Sequence, residues 1–139
     1  MKYALGIDVG SSSVKIAIVK ASDGEFVKSA QYPKTEMPMI TEQKSWAEQE
    51  PQMWWNAFVS CLAEIEKSAP ELLRKVSHIG ISYQMHGLVC VNENRDVLRP
   101  SIIWCDSRAV EIGKKAIDQL GDDYCLGCLL NSPGNFTAS

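Results

Sequence analysis

The first part of the sequence alternates short apolar runs with small polar turns. Tyr3 to Val9 and Val14 to Val19 are apolar runs, the second of them rich in β-branched residues, and Glu25 to Tyr32 alternates apolar with polar positions. Segments of this length and period predict strands. The connections, Gly10-Ser11-Ser12-Ser13 and Ser22-Asp23-Gly24, are short and consist of turn-forming residues. The pattern therefore predicts three strands in a meander.

The period becomes helical beyond Pro51, a residue well suited to the first position of a helix. The preceding segment, Pro33 to Ser45, has no clear period and is predicted to be a loop. After Pro51, large apolar residues recur at spacings of three and four, as on one face of an amphipathic helix. They are Trp54, Trp55, Phe58, Val59, Leu62 and Ile65. Pro70 then ends this helix or begins a short second one through Leu73.

The second half of the chain shows shorter strand-like segments. Val76 to Tyr83 is predicted to be a strand. Leu88 to Val91 and Val97-Leu98 flank Asn92 to Asp96, which has the composition of a hairpin turn. Ile102 to Trp104 is predicted to be a further short strand.

A last helix is predicted from Arg108 to Leu120, with Ser107 as its cap and Gly121 at its end. The order of elements is thus a three-strand meander, a helix, and then further strands and helices. This order predicts a mixed α/β layer architecture. It matches the ribonuclease-H-like domains from which the actin and sugar-kinase superfamily is built, a likeness of fold that does not by itself define a function.

Composition narrows the class of protein. At 139 residues, we expect one modest core rather than two independent domains. The net charge of −3, with scattered Lys and Arg, argues against a nucleic-acid binder. The apolar runs fall far short of the ~20 residues that span a membrane, and Asp8 interrupts the first too early for a secretory signal. Five cysteines without a framework spacing fit a reduced, cytoplasmic compartment.

The first candidate site follows the first strand, in the run Gly6-Ile7-Asp8-Val9-Gly10-Ser11-Ser12-Ser13-Val14-Lys15. A carboxylate at the end of a buried strand needs a cation or hydrogen bonds to offset its desolvation. The small residues after it let backbone N–H groups converge on an anion, and Asp8 would hold hydrated Mg²⁺. The alternative is that Asp8 caps the turn and the serines only shape a hairpin. Neither the Walker phosphate loop nor the dinucleotide glycine pattern occurs, so a phosphate site here would be of another kind.

Two further polar groups follow strand ends, where α/β folds place ligands. In Gln84-Met85-His86-Gly87, the amide and imidazole can bond hydroxyls, the thioether offers an apolar wall and the glycine admits close approach. In Trp104-Cys105-Asp106-Ser107-Arg108, an indole face suits sugar C–H groups while the charged pair fixes hydroxyls. The alternatives are structural: a histidine satisfied within the fold, and a buried tryptophan beside a helix cap.

The spacing of Cys125-Leu126-Gly127-Cys128 is that of a redox or zinc motif, but zinc needs four ligands and no second pair is present. A redox pair would lie between a strand and a helix, whereas this one follows a helix and is predicted to enter a loop. We therefore expect ordinary thiols. Trp54-Trp55 is likewise expected to pack on the helix face rather than to form a binding platform.

Taken in order, these segments resemble the FGGY carbohydrate kinases and, within them, the xylulokinases. Ile7 to Lys15 is similar to the first phosphate loop of the family, and Gln84 to Gly87 resembles the xylulokinase sugar-site motif. The other matching segments are Ser45-Trp46-Ala47-Glu48-Gln49 with Pro51 and Trp54-Trp55, Leu98-Arg99-Pro100, Ile103-Trp104-x-Asp106-x-Arg108, and Pro133-Gly134-Asn135-Phe136-Thr137-Ala138 with Asn135 as an extra residue.

The resemblance implies an enzyme that uses ATP and Mg²⁺ to phosphorylate a ketose such as D-xylulose, giving xylulose 5-phosphate. Asp8 would manage Mg²⁺ and the reacting phosphate. The residues implied to face the ATP phosphates are Gly10, Ser11, Ser12 and Lys15, although some relatives have arginine where Lys15 stands. The residues implied to bind the sugar or to form its neighbouring pocket wall are Gln84, Met85, His86, Trp104, Asp106 and Arg108.

The resemblance also implies that residues 1–139 form part of the N-terminal, sugar-binding domain. The second, ATP-closing domain and the aspartate that deprotonates the sugar hydroxyl are then expected outside this chain, which alone should be inactive. Its implied partners are the sugar and ATP, with neither nucleic acid nor membrane, and the full-length form is expected to be a cytoplasmic homodimer.

Other functions fit part of the pattern. The chain could be a non-catalytic sugar-binding or truncated product, or belong to a kinase for gluconate, ribulose, rhamnulose or glycerol. A metal-dependent nuclease of the same fold is disfavoured because its chemistry needs clustered carboxylates. His78 to Tyr83, the fourth strand, offers none.

Overall fold

The computed structural model of the chain describes residues 1–130. The predicted Pro-Gly-Asn-Phe-Thr-Ala match at 133–138 lies outside them. The described strands are β1 (Tyr3–Val9), β2 (Val14–Lys20), β3 (Phe26–Tyr32), β4 (Glu48–Gln49), β5 (Val76–Tyr83) and β6 (Ser101–Ile102). The helices are α1 (Pro51–Ser68), α2 (Pro70–Leu73), α3 (Val110–Leu120) and α4 (Asp122–Tyr124), followed by a π-helical turn, Cys125–Leu129.

The chain divides into two compact units that interleave in sequence. The first consists of Met1–Pro38 and Pro51–Gln84, and the second of Met39–Glu50 and the described residues from Met85 onward. The first unit holds the four-stranded sheet with α1 and α2. The second holds β4, β6 and the C-terminal helices.

The predicted meander is confirmed. β1 pairs antiparallel with β2, placing Leu5 opposite Ile18 and Ile7 opposite Ile16, and β2 pairs antiparallel with β3. After the crossover through α1 and α2, β5 pairs parallel to β1. The resulting order, β3-β2-β1-β5, makes β1 a central strand with hydrogen-bonded neighbours on both sides. This is the mixed α/β arrangement that the order of elements predicted.

The core of the first unit lies between α1 and one face of the sheet. Ala57, Cys61 and Ile65 are buried at spacings of four, so they form one stripe of the helix. They pack in one cluster with the inward residues of the strands, which include Leu5, Ile7, Val14, Ile16 and Ile18. One stripe of α1 and one face of the sheet thus form the core of the first unit.

The sequence predicted the existence of α1 correctly but not all of its buried side. Trp54 and Phe58 pack against the core cluster, whereas Trp55 and Val59 are exposed. The Trp55 and Phe58 rings are 5.6 Å apart, so Trp55 packs on the helix face as expected while remaining largely open to solvent. Spacings of three and four identify the helix, and only the position of the sheet decides which flank is buried.

The second unit contains a strand that the sequence did not predict. β4 pairs antiparallel with β6, so Glu48 lies opposite Ile102 and Gln49 opposite Ser101. The predicted hairpin is present as a single bridge between Val91 and Val97. A strand of two residues is too short to show the alternation of apolar and polar positions by which strands are recognised in sequence. The predicted strand from Ile102 to Trp104 is therefore shifted by one residue and shortened.

The predicted start of the last helix was wrong, while its end was correct. α3 begins at Val110 rather than Arg108, and Ser107 does not cap it. The Ser107 N–H donates instead to the Ser45 carbonyl oxygen at 3.0 Å. Gly121 ends α3 with φ of 84°, a conformation suited to glycine.

Two further features concern the cysteines and the helices. Residues 125–129 form a π-helical turn rather than the predicted loop. All five cysteines lie within the described residues and are free thiols, with Cys61 and Cys125 buried. Burial raises the pKa of Cys61, whose Sγ lies 3.4 Å from the Val14 carbonyl oxygen.

None of the helices in residues 1–130 is long and apolar enough to cross a membrane.

Truncation of a buried α1 side chain tests this core. Ile65 is completely buried, so Ile65→Ala should lower the free energy of unfolding by about 3 kcal/mol, measured by urea denaturation. Val59→Ala on the same helix removes an exposed side chain and should change stability by less than about 0.5 kcal/mol. Equal effects of the two substitutions would contradict the packing described here.

Candidate functional site

The first candidate site begins at the β1–β2 hairpin. Val9 and Val14 pair across its base, and the Gly10 N–H donates to the Ser13 carbonyl oxygen at 3.1 Å. A Cβ on Gly10 would lie only 3.1 Å from that oxygen, so a larger residue would crowd this closure. The Gly10 N–H is thus already hydrogen-bonded within the hairpin. Any anion held at this turn would depend on the other groups of the loop and on the charged residues beside it.

Asp8 and Lys15 lie directly opposite each other on β1 and β2 and are exposed. Residues opposite in an antiparallel pair project to the same face. Ile7 and Ile16 are buried with α1, so the charged pair occupies the other face of the sheet. The side chains of Asp8 and Lys15 form no ion pair with any described residue. One carboxylate and one ammonium group are therefore available on this face for a cation and an anion.

The charged pair borders an open depression of about 630 Å³ on this face of the sheet. Small and polar residues from all four strands line it, among them Gly6, Ala17, Ser29, Gln31, Gly80 and Ser82. Their short side chains leave room above the backbone beside Asp8. The depression therefore places hydroxyl and amide groups within the same surface as the two charges.

Gln84 follows β5 at the end where β1 also finishes. Its backbone N–H donates to the Val9 carbonyl oxygen at 2.9 Å. Both polar atoms of its side-chain amide are shielded from solvent and have no hydrogen-bond partner among the described residues. Leaving such groups unpaired costs ~1–3 kcal/mol each. An added ligand or polypeptide group that paired with this amide would recover that energy.

The residues after Gln84 begin the second unit. Met85 and His86 are exposed, and His86 has φ of 60°, an uncommon backbone conformation for a residue with a side chain. A Cβ on Gly87 would lie 3.8 Å from the Ile102 carbonyl oxygen. The Leu88 N–H donates to that same oxygen at 2.8 Å. The motif is thus anchored at its C-terminal side to β6 while the thioether and imidazole remain open to solvent.

The third predicted group is divided by the structure. Trp104 is exposed, but Asp106 is buried, with only 3% of its surface accessible. The Asp106 carboxylate accepts hydrogen bonds from the Ala47 N–H at 2.7 Å and from the Arg108 N–H at 2.9 Å. The Arg108 Nη2 donates to it at 2.7 Å and Nε at 2.9 Å. Asp106 therefore connects its own segment, which includes Arg108, to Ala47 in the same unit.

Arg108 extends this connection to β4. Its Nη2 lies 2.6 Å from the Glu48 carboxylate, which is itself buried, and Arg99 donates to the same carboxylate. The Arg108 guanidinium also stacks over the Trp46 ring at 3.8 Å, a distance at which cation–π attraction is strong. We call Trp46, Glu48, Arg99, Asp106 and Arg108 the charge cluster.

The charge cluster alters the titration of its members. Burial by itself would raise the pKa of Asp106, but the hydrogen bonds from Arg108 and from the Ala47 and Arg108 amides outweigh it, so this pKa lies below its ordinary value. The hydrogen bonds that Arg108 donates to Asp106, together with those to Glu48, raise the pKa of Arg108. Both groups therefore remain charged in the folded protein at neutral pH.

Sequence reasoning identified some of these residues and missed others. Asp106 and Arg108 were predicted as pocket wall, and the structure gives both of them internal partners. Trp46, Glu48 and Arg99 were assigned no role. Their only signal was that they belong to the segments that resemble the FGGY family. Within residues 1–130, no three His, Cys, Asp or Glu side chains are grouped as a metal site.

The sheet and the residues at its strand ends define a class of protein before any comparison. A three-strand meander with a parallel fourth strand, an aspartate near the end of β1 and a close hairpin after it are the arrangement of a ribonuclease-H-like domain.

Comparison with known proteins agrees with this class. Residues 3–126 match the model of the FGGY family of carbohydrate kinases, N-terminal domain. The chain is 36% identical over 135 residues to the xylulose kinase of Klebsiella pneumoniae, covering 96% of this chain and 26% of the relative. It is 32% identical over 122 residues to the xylulose kinase of Bacillus subtilis, covering 88% and 24%. The crystal structure of a xylulose kinase from Brucella ovis superposes with a TM-score of 0.80 at 27% identity, covering 94% of this chain and 26% of that one.

The chain belongs to the FGGY family of carbohydrate kinases, a family of phosphotransferases. It spans about a quarter of the length of the relatives that it matches. The predicted resemblance and the predicted fold are both confirmed by these findings.

Neutralising Asp106 should change how stability depends on pH. Because the pKa of folded Asp106 is lowered, its charge stabilises the fold above the pKa of the unfolded chain. That stabilisation is lost as pH falls through the folded pKa. Asp106→Asn should lower the free energy of unfolding by about 3 kcal/mol at neutral pH and flatten the acid limb of the stability profile. Denaturation at a series of pH values measures both effects.

Asp118→Asn provides the control, because this carboxylate is exposed on α3. It should leave the stability and its acid dependence nearly unchanged. If Asp106→Asn behaved in the same way, the charge cluster would not stabilise the second unit.

Proposed function

We propose that this chain is the N-terminal part of an ATP-dependent kinase that phosphorylates a ketose such as D-xylulose, giving xylulose 5-phosphate. The observation that carries the proposal is the exposed Asp8–Lys15 pair beside a close hairpin in a chain of the FGGY family. Phosphoryl transfer depends mainly on positioning and on neutralising charge. A carboxylate and an ammonium group fixed across one pair of strands suit that requirement.

In this proposal the first unit supplies the phosphate grip. Lys15 and the hydroxyls of Ser11 and Ser12 would face the ATP phosphates, and Gly10 closes the hairpin that positions them. Asp8 is the residue that would hold Mg²⁺, which commonly keeps several waters and takes one or two carboxylates together with phosphate oxygens. The single exposed carboxylate fits this donor set. When bound, Mg²⁺ would neutralise part of the negative charge of the phosphates.

The second unit would contribute to sugar recognition through its exposed groups. Met85, His86 and Trp104 are open to solvent, so they can contact a sugar directly. The indole face suits C–H groups, and the imidazole can exchange hydrogen bonds with hydroxyls. Asp106 and Arg108 would act by holding the segment that carries Trp104 rather than by touching the sugar. The shielded amide of Gln84 has no hydrogen-bond partner among residues 1–130, so a group of the ligand could pair with it.

Turnover would also need a base for the sugar hydroxyl. The implied aspartate is expected among residues that this chain does not include, so we propose that the chain alone binds but does not phosphorylate. We further propose that the protein works in the cytoplasm and that gluconate, ribulose, rhamnulose and glycerol are the alternative substrates. A non-catalytic sugar-binding role is the second candidate, and it would use the same exposed Met85, His86 and Trp104.

An assay of ADP release tests the proposal that the chain binds the sugar but does not phosphorylate it. With ATP, Mg²⁺ and D-xylulose, the chain should release no ADP above the rate without sugar. Measurable sugar-dependent turnover would show that the 139 residues contain a working base, contrary to the proposal.

Saturation-transfer NMR of D-xylulose with the chain tests the sugar residues. The sugar should receive saturation from the protein, and His86→Ala should weaken binding roughly tenfold because a hydrogen bond to a hydroxyl is lost. His78→Ala removes the other histidine of the chain, on β5, and should leave binding unchanged. Gluconate and glycerol as competitors rank the alternative substrates. An unchanged signal with His86→Ala would remove this residue from the sugar site.

A further inference from the structure

The second unit contains a small antiparallel sheet that is wider than β4 and β6 alone. Ile40 bridges to Glu48, and Glu48 lies opposite Ile102. Ile102 in turn bridges to Leu88, with two backbone hydrogen bonds of 2.8 and 3.2 Å between them. Residues directly opposite in antiparallel strands project to the same face, so these four side chains form one row.

Glu48 is the charged member of a row that is otherwise apolar. It is 5% exposed, and its neighbour Ile102 is 6% exposed. A carboxylate at such a position costs desolvation, and a well-packed apolar side chain would often give equal or greater stability. Stability is therefore a weak reason for an acidic residue here. The groups that the carboxylate holds in place supply a stronger reason.

The Glu48 carboxylate holds two guanidinium groups. Its Oε1 lies 2.6 Å from Nη2 of Arg108, and Arg99 donates to the same oxygen. Arg108 also donates to Asp106 and stacks over Trp46. Because a guanidinium group is planar and bonds in fixed directions, one that is bonded to two carboxylates has few orientations open to it. Glu48 thereby fixes the charge cluster to the small sheet.

The charge cluster lies at the end of the small sheet from which two candidate sugar residues emerge. His86 precedes Leu88 by two residues, and Trp104 follows Ile102 by two. Because Leu88 and Ile102 pair antiparallel, these two directions coincide. Trp46, in the segment before β4, lies at the same end. The position of the imidazole relative to the indole therefore depends on how this end is held.

The segment that carries Trp104 is tied to the segment before Glu48 on both sides of the tryptophan. The Ile103 N–H donates to the Ala47 carbonyl oxygen at 3.0 Å, and the Ala47 N–H donates to the Asp106 carboxylate at 2.7 Å. Trp104 lies between these two attachments with 46% of its surface exposed. Glu48 is too deeply buried to contact a sugar, so any effect it has on sugar binding passes through this frame.

We propose that Glu48 is a positioning residue of the sugar site: through Arg108, it holds the end of the small sheet so that His86 and Trp104 can contact the same sugar. This role rests on the function proposed above, in which those two side chains meet the substrate. The carboxylate supplies geometry rather than a contact. Its loss should therefore weaken sugar binding while every contacting side chain is still present.

Glu48→Gln tests this role, because it keeps the size of the side chain and removes its charge. Titration of the folded variant with D-xylulose, followed by NMR, should give a dissociation constant about tenfold above that of the wild-type chain. Glu111→Gln removes a carboxylate of the same unit that is 77% exposed, and Ile65→Ala destabilises the first unit. Both controls should bind as the wild type does. Equal weakening by Ile65→Ala would attribute the effect to lost stability and overturn the proposal.

The indole N–H resonance of Trp104 provides a measurement that needs no sugar, and its absence from Trp104→Phe assigns it. Glu48→Gln should shift or broaden this resonance, and Glu111→Gln should not. An unchanged resonance in folded Glu48→Gln would overturn the proposal. If the wild-type chain did not bind D-xylulose, the function proposed above would be overturned. A Trp104 resonance that still responded to Glu48→Gln would separate that failure from a failure of the positioning role.

Arg99→Gln keeps the proposal testable if Glu48→Gln does not fold. The Arg99 side chain is 42% exposed, and its removal leaves Arg108 paired with both carboxylates. The substitution should move the Trp104 resonance in the same direction as Glu48→Gln and raise the dissociation constant for D-xylulose about threefold. Wild-type values for both measurements would contradict the role assigned to Glu48.

Discussion

Pairing of β1 on both of its sides is the constraint on which the first unit depends. β2 pairs antiparallel to β1 and β5 pairs parallel to it, so the register of the sheet is fixed from its centre. Because side chains alternate, the same strand buries Ile7 beneath α1 and presents Asp8 on the other face. A slip of one residue would bury the carboxylate and expose the core. The position of the proposed phosphate grip therefore follows from the burial of the apolar residues next to it.

The second unit is organised by paired charges. Glu48 and Asp106 are buried carboxylates, and Arg108 lies between them with its guanidinium over Trp46. Buried charges of this kind are costly to place, and removing one partner leaves the other uncompensated. They hold β4 next to the segment that carries Trp104, which remains exposed. In the proposed function, the charged residues thus position the aromatic residue and do not themselves meet the sugar.

Some residues of the candidate site could be identified from the sequence, and the contacts of others could not. Asp8 and Lys15 could be identified because a strand, a short turn and a second strand place them near each other with little freedom. Arg108 was predicted as pocket wall, but its partner Glu48 lies far away in the sequence, and no local period indicates that the two meet. The unpaired amide of Gln84 could not be predicted either, because shielding of its atoms depends on the packing of the whole neighbourhood.

By itself the sequence determined the elements whose signals are local. These are the meander with its two turns, the helix that begins at Pro51, the fourth strand and the stop at Gly121. Each is set by residues a few positions apart, so the period or the turn chemistry is visible directly. Only the tertiary structure decided that β4 exists, that α3 starts at Val110, and that Asp106 faces inward. Those features rest on hydrogen bonds between distant segments, such as the bond from Ala47 to Asp106, whose energy no local pattern records.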